Sequence, residues 1–80
     1  MKDARLGNRL KVARAEWDLS QEELASLVGV TRQTISSIET GRYVPSALLA
    51  LLLSRQLDKP VQELFFLEGE TRHEEPARHP

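Results

Sequence analysis

The 80-residue chain contains no cysteine, and this excludes disulfide bonds and thiolate metal sites. Its longest apolar run, residues 47–53, is far too short to span a bilayer. The first ten residues are charged and lack the apolar segment of a secretory signal. We therefore expect a soluble, cytoplasmic protein that makes no membrane contact.

The chain is long enough for one small domain. A core of this size rarely supplies more than about 3–5 kcal/mol of net stability. Because disulfide bonds are excluded, the domain must be stabilised by well-packed helices, by a partner subunit, or by both.

The basic excess that is typical of a nucleic-acid-binding protein is also missing. Eleven Lys and Arg residues against twelve Asp and Glu residues give a net charge of −1. The charges are unevenly distributed, however. Residues 1–57 carry eight basic and six acidic side chains, or +2, whereas residues 58–80 carry three and six, or −3. This distribution permits a DNA-binding surface on one side and an acidic surface on the other.

The apolar residues recur at helical spacing along most of the chain. Leu6, Leu10, Ala13 and Trp17 predict the buried stripe of a first helix, with Trp17 half-buried at the edge of the core. Asp18 follows at the position where a left-handed residue ends a helix.

Clear capping signals mark the next two helices. Ser20 and Glu23 form a capping box at the start of the second helix, and Gly29 ends that helix. Thr31 caps a third helix, which Gly41 ends. The intervening turn has only three residues, so the two helices must cross steeply, as in a helix-turn-helix.

Two further helices complete the predicted domain. Ser46 caps a fourth helix that runs to about Leu57. Pro60 opens a short fifth helix that ends near Leu64 or Phe65.

The composition changes from Glu68 onward, where no large apolar residue remains. We predict a folded domain over residues 1–67 and a disordered acidic tail over residues 68–80, which is a candidate site for a protein partner. Two histidines in the tail, His73 and His79, are too poor a ligand set to predict a metal. No cofactor is expected, and no set of nucleophile, base and oxyanion donors indicates an enzyme.

The segment from Leu19 to Gly41, LSQEELASLVGVTRQTISSIETG, resembles the helix-turn-helix of the Cro/cI-type repressors, the XRE family. The resemblance extends from about Asn8 to Phe65. It implies an all-α, five-helix, lambda-repressor-like domain that binds double-stranded DNA, with room for a short C-terminal strand. The helix-turn-helix would occupy residues 20–39.

A recognition helix places its first residues at base edges in the major groove. The side chains expected there are polar, and none is acidic: Arg32, Gln33, Ser36 and Ser37. Gln can pair with adenine through two hydrogen bonds, and Arg can pair with guanine or phosphate. Gln21 and Thr31, at the starts of the second and third helices, are suited to phosphate contacts.

The resemblance implies a role for each of these positions. Gln33 is similar to the family's principal base reader, and Arg32 and Ser37 are similar to its secondary base or phosphate contacts. The phosphate contacts that it implies are Gln21, Thr40 and Arg42. It also implies a structural ion pair between Arg14 and Glu39.

The fourth helix is apolar on more than one face. Leu49, Leu53 and Leu57 form its core stripe, whereas Leu48 and Leu52 lie on another face. We predict a two-fold symmetric homodimer in which residues 65–68 of the two copies pair as short antiparallel strands. Its expected main contacts are Leu48, Leu52, Phe66 and Leu67. Alternatively, residues 66–67 fold back on their own chain and cover the second face of the helix.

The predicted function is sequence-specific transcriptional regulation, by a repressor that binds a palindromic operator as a homodimer. An antitoxin whose tail binds a toxin is an alternative within the DNA-binding class. A protein-only adaptor is an alternative from another class, and the salt dependence of binding to random duplex DNA separates the two classes.

Overall fold

A computed structural model describes residues 4–69. Five helices appear in the predicted order, which confirms the fold class. One strand before them and one after them pair to form a small sheet. The elements are β1 (Ala4–Asn8), α1 (Leu10–Glu16), α2 (Gln21–Val28), α3 (Arg32–Glu39), α4 (Ala47–Leu57), α5 (Val61–Leu64) and β2 (Phe65–Gly69). In this part of the chain, no helix is both long and apolar enough to cross a membrane.

The helix boundaries follow from capping chemistry. Ser20 accepts a hydrogen bond from the Glu23 N–H, and the Glu23 side chain accepts one from the Ser20 N–H, which completes the capping box. Ser46 caps α4 in the same manner, by accepting from the Leu49 N–H. The chain turns at left-handed residues after α1 and α4, at Asp18 (φ 58°) and Asp58 (φ 55°).

One apolar core lies between the helices and is closed by the start of β2. Trp17 lies at its edge, about half exposed, and its indole N–H donates to the Leu57 carbonyl at 2.8 Å. This contact ties the end of α1 to the end of α4. The fully buried large side chains are Leu10, Leu24, Ile35, Ile38, Leu53, Leu57 and Leu64.

The prediction that Leu6 belongs to the first helix is wrong. Leu6 lies in β1, and the helix begins only at Leu10, whose N–H donates a hydrogen bond to the Asn8 side chain before the first turn. β1 pairs antiparallel with β2, from Ala4 opposite Gly69 to Asn8 opposite Phe65.

The strand β2 extends through residues 68 and 69, two residues beyond the predicted end of the domain. The remainder of the predicted tail, including His73 and His79, lies outside the described residues.

The β1–β2 ribbon is held by a glycine–aromatic contact. Gly7 is buried opposite Phe66, and a Cβ atom at position 7 would lie 2.9 Å from Phe66 Cζ and closer still to Cε1. On the same ring, the Arg9 guanidinium carbon lies 4.4 Å from the centroid. The residue opposite Phe66 must therefore be glycine for the ring to lie across the ribbon.

Asn8 connects the ribbon to the helix-turn-helix. Its side-chain N–H₂ donates to the carbonyl of Ile38, near the end of α3, at 3.0 Å. The Arg9 N–H donates to the Leu64 carbonyl at 2.9 Å and joins the ribbon to α5. The ribbon is thus hydrogen-bonded to the end of α3.

Candidate nucleic-acid interface

The helix-turn-helix consists of α2, a three-residue turn and α3. Gly29 (φ 80°) ends α2 in the left-handed conformation, which a side chain other than Gly disfavours. The hydroxyl of Thr31 accepts a hydrogen bond from the Thr34 N–H and starts α3. Because the apolar faces of both helices are buried in one core, α3 presents its polar face to solvent.

The predicted base-reading residues lie together on this polar face. Arg32 and Gln33 are exposed in the first turn of α3, and Ser36 and Ser37 are half-buried one turn later. The Gln33 amide N–H₂ lies 3.4 Å from the Ser37 hydroxyl, which is a long and weak hydrogen bond. A base edge can therefore replace this contact at little cost.

Arg42 and Tyr43 lie beside the same face, across a shallow depression of about 300 Å³ that is also lined by Gln33, Thr34 and Ser37. The backbone N–H groups of Arg42 and Tyr43 both donate to the Ser37 carbonyl, at 2.8 and 3.2 Å. These bonds fix the loop against the end of α3. Tyr43 is half exposed and was not predicted from the sequence, although an aromatic residue with a hydroxyl beside a predicted phosphate contact could have indicated it.

Two predicted phosphate contacts are hydrogen-bonded within the chain. The hydroxyl of Thr40 donates to the carbonyls of Ser36 and Ser37, at 3.1 and 3.3 Å. To bind a phosphate, this hydroxyl must exchange partners. The Thr31 hydroxyl, which caps α3, remains exposed and can approach a phosphate without leaving the cap.

A hydrogen-bonded network lies behind the recognition face. Arg14 donates from Nε to Glu39 Oε2 at 2.8 Å and from Nη2 to Oε1 at 3.2 Å. Both side chains are largely buried, with 14% and 6% exposed. The third nitrogen of Arg14 donates to the Leu19 carbonyl at 2.8 Å, so the pair connects α1, the turn before α2, and the end of α3.

Gln21 extends this network to the surface. Its Nε2 donates to Glu39 Oε1 at 3.0 Å, and its Oε1 accepts from Arg32 Nη1 at 3.3 Å. The Gln21 amide is therefore oriented by Glu39, and it in turn holds the first side chain of the recognition helix. Its backbone N–H, in the first turn of α2, is the group that remains suited to a phosphate.

The four predicted dimer contacts differ in exposure in the isolated chain. Leu48 and Leu67 are largely exposed, at 67% and 77%, whereas Leu52 packs partly against the core. Phe66 and Leu67, as neighbours in a strand, point to opposite faces of the ribbon. Leu51, 60% exposed beside Leu48, was missed by the sequence analysis, although it belongs to the same apolar run.

Residues 65–68 have a partner that the sequence analysis did not predict. They pair with β1 of their own chain, because the N-terminal segment is a strand and not part of α1, and their pairing with a second copy stays a prediction. The alternative, in which these residues fold back on their own chain, agrees with this contact. They do not cover Leu48, which stays exposed.

Within residues 4–69, no group of three or more His, Asp or Glu side chains is placed to hold a metal ion.

Comparisons with known proteins agree with this geometry. The helix-turn-helix family model matches residues 10–64. The transcriptional regulator YgzD of Bacillus subtilis is 48% identical over 63 residues, which cover 79% of this chain and 96% of that protein. A transcriptional regulator of Methanothermobacter thermautotrophicus is 50% identical over 56 residues, 69% of this chain and 81% of the relative.

Among solved structures, the restriction-modification controller protein C.AhdI from Aeromonas hydrophila is similar at 36% identity. The TM-score is 0.65, over 69% of this chain and 83% of the controller protein. The chain belongs to the helix-turn-helix family of the XRE type and is a DNA-binding transcriptional regulator, not an enzyme.

Proposed function

We propose that the chain represses transcription by binding a palindromic operator as a homodimer, with α3 in the major groove of each half-site. The observation that carries this proposal is the joint placement of Arg32, Gln33 and Ser37 on one exposed face of α3, next to the depression lined by Arg42 and Tyr43. Occupancy of a promoter by such a dimer excludes polymerase without any additional domain.

Within each half-site, Gln33 reads a base and Arg32 reads a second base or a phosphate. Gln33 is exposed and only weakly bonded, so it can offer both amide groups to an adenine. Arg32 is held by Gln21 at the start of α3, which reduces the side-chain entropy that it loses on binding. Ser36 and Ser37 supply shorter secondary contacts farther along the helix.

The remaining polar groups position the protein on the DNA backbone. Arg42 approaches a phosphate from the loop after α3, and Gln21 approaches through its backbone N–H at the start of α2. Thr31 and Thr40 add hydroxyl contacts at the two ends of α3. Such contacts set register and orientation but carry no sequence information.

Dimerisation supplies the affinity that one small interface lacks. Two recognition helices about 34 Å apart read half-sites one turn of DNA apart, and an operator for a two-fold symmetric dimer is palindromic. The exposed leucines of α4 and β2 support this proposal, because a partner would cover them.

Binding measurements on three variants test this function, after the operator is selected from a random duplex pool. Gln33→Ala should weaken operator binding by about 1–3 kcal/mol and relax the preference at one base pair. Arg42→Ala should weaken binding to all sequences equally and reduce the salt slope by about one. Gln56→Ala, an exposed glutamine on α4, is the control and should change neither.

Equal losses on operator and random duplex for Gln33→Ala would contradict the assignment of α3 as the reading helix. Binding to random duplex that does not weaken with salt would argue against a phosphate-contacting surface altogether.

A further inference from the structure

The outer edge of β2 carries backbone groups that the ribbon does not use. The Arg9 N–H donates to the Leu64 carbonyl, and this bond sets the alternation of the antiparallel ladder. In that alternation, Phe66 and Glu68 direct their N–H and C=O groups towards β1. Leu67 lies between them and directs its own N–H and C=O away from β1, towards the outer edge.

This edge is open in the isolated chain. Within residues 4–69, no backbone or side-chain group forms a hydrogen bond with the outward groups of Leu67, whose side chain is the most exposed of the large apolar ones. A two-stranded sheet is marginally stable alone, and an open edge is a template for another strand. The edge is therefore a binding surface for an extended segment.

We propose that β2 pairs antiparallel with β2 of a second copy, with the two-fold axis at Leu67, so that the dimer contains the four-stranded sheet β1-β2-β2-β1. This inference rests on the homodimer proposed above and specifies its interface.

The edge of β2 is complementary to itself in this register. At the axis, the Leu67 N–H of each copy donates to the Leu67 carbonyl of the other. Two residues away, the outward Gly69 N–H donates to the Phe65 carbonyl of the second copy. The Phe65 N–H is unsuited to a further bond because it already donates to the Val61 carbonyl. Each half of the interface thus uses the groups that its own chain leaves free.

Charge selects the same register. Pairing centred on Glu68 would place two carboxylates directly opposite each other, which is unfavourable. Pairing centred on Phe66 would leave only two bonds, from the Leu67 N–H of each copy to the Phe65 carbonyl of the other, because the Phe65 N–H is occupied, whereas pairing centred on Leu67 has four. Centred on Leu67, each Glu68 lies opposite Phe66 of the other copy, whose ring is covered by an arginine, Arg9. The carboxylate then meets a guanidinium and no like charge.

The side chains fit this arrangement as well. Leu67 lies on the same face of the ribbon as its cross-strand neighbour Leu6, which packs partly against the core. Pairing at the axis places the Leu67 side chains of the two copies side by side on this face, and each then loses contact with water. Phe66, already covered by Gly7 and Arg9, stays on the opposite face.

Cysteine cross-linking of the full chain tests the register directly, because the protein has no cysteine of its own. In a hydrogen-bonded antiparallel pair, opposite Cα atoms lie about 5.5 Å apart, within the span of a disulfide. Leu67→Cys should therefore form a covalent dimer under mild oxidation. Glu68→Cys is the matched control, because its two copies would lie diagonally, at about 7–8 Å, and should cross-link much more slowly.

Leu51→Cys tests an interface through α4 instead, since this residue is exposed on that helix. Cross-linking of Leu51→Cys in preference to Leu67→Cys, or equal rates for Leu67→Cys and Glu68→Cys, would overturn the proposed pairing.

A proline substitution tests the backbone hydrogen bonds. Leu67→Pro removes one outward N–H from each copy and leaves the bonds to β1 in place. The dimer dissociation constant from sedimentation should rise about 30-fold, whereas Leu67→Ile should leave it nearly unchanged. An unchanged constant for Leu67→Pro would overturn the proposal. Binding of its monomer to a single half-site should still depend on Gln33, and loss of that dependence would count against the proposed function instead.

Discussion

Disruption of the buried Arg14–Glu39 pair should remove most of the domain's free energy of unfolding. Glu39 is 6% exposed beside Arg14, and in Arg14→Met its carboxylate keeps a single donor, Gln21. Stranding a buried charge in this way costs about 3–5 kcal/mol. For a domain of this size, about 1 kcal/mol corresponds to about 4–8 °C in melting temperature, so we expect a decrease of at least about 12 °C.

Glu39→Gln should cost less than Arg14→Met. The amide retains an acceptor for Arg14, and the guanidinium also keeps the Leu19 carbonyl, so a loss of about 1–3 kcal/mol is expected. Thermal melts followed by circular dichroism on both single variants and the double variant give the coupling energy. We expect the double variant to lose less free energy of unfolding than the sum of the two single losses, by about 0.5–3 kcal/mol.

The exposed pair between Glu16 and Lys59 is the control for this cycle. Their Oε1 and Nζ atoms lie 3.0 Å apart, and the hydrogen bond that Lys59 donates to Glu16 raises the pKa of Lys59, so the ammonium group is charged at neutral pH. Because water screens it, Lys59→Met should leave the melting temperature almost unchanged. Small and additive losses for Arg14→Met and Glu39→Gln would refute the role assigned to the buried pair.

Two further predictions concern the backbone. Gly7→Ala should lower the melting temperature by the equivalent of about 1–3 kcal/mol, because the new Cβ meets the Phe66 ring; adding Phe66→Ala should recover part of the loss, and no recovery would mean that the ring is not the obstacle. Asp58 and Gly29 both have a left-handed backbone, which favours glycine, so Asp58→Gly should stabilise the domain by up to about 1 kcal/mol and Gly29→Ala should destabilise it by about 1 kcal/mol. Melts in which the two changes have the same sign would contradict this explanation.

The helices could be predicted from the sequence because their signals are local. Ser20 and Glu23 lie three residues apart and cap the same helix, and Gly29 ends it by its own conformational freedom. The short turn to Thr31 then fixes the crossing of two helices without information from elsewhere in the chain. The same locality explains why the exposed polar face of α3 could be predicted from the spacing of its apolar residues.

The ribbon could not be predicted because its signals are distant in sequence. Leu6 lies four residues before Leu10, so helical spacing includes it in α1, whereas its actual neighbour is Leu67. The contact between Gly7 and Phe66 and the pairing with β2 explain why this segment is extended. No rule of local periodicity connects two residues that are so far apart in the chain.

Under the proposed function, the network behind α3 makes stability and recognition depend on the same atoms. Glu39 accepts hydrogen bonds from Arg14 in the core and from Gln21 near the surface, and Gln21 holds Arg32 at the start of the recognition helix. Loss of Arg14 therefore frees the Glu39 carboxylate from two hydrogen bonds, and the carboxylate then competes with the DNA for Arg32. A variant at this buried position, which touches no base, should lose operator binding even under conditions where it remains folded.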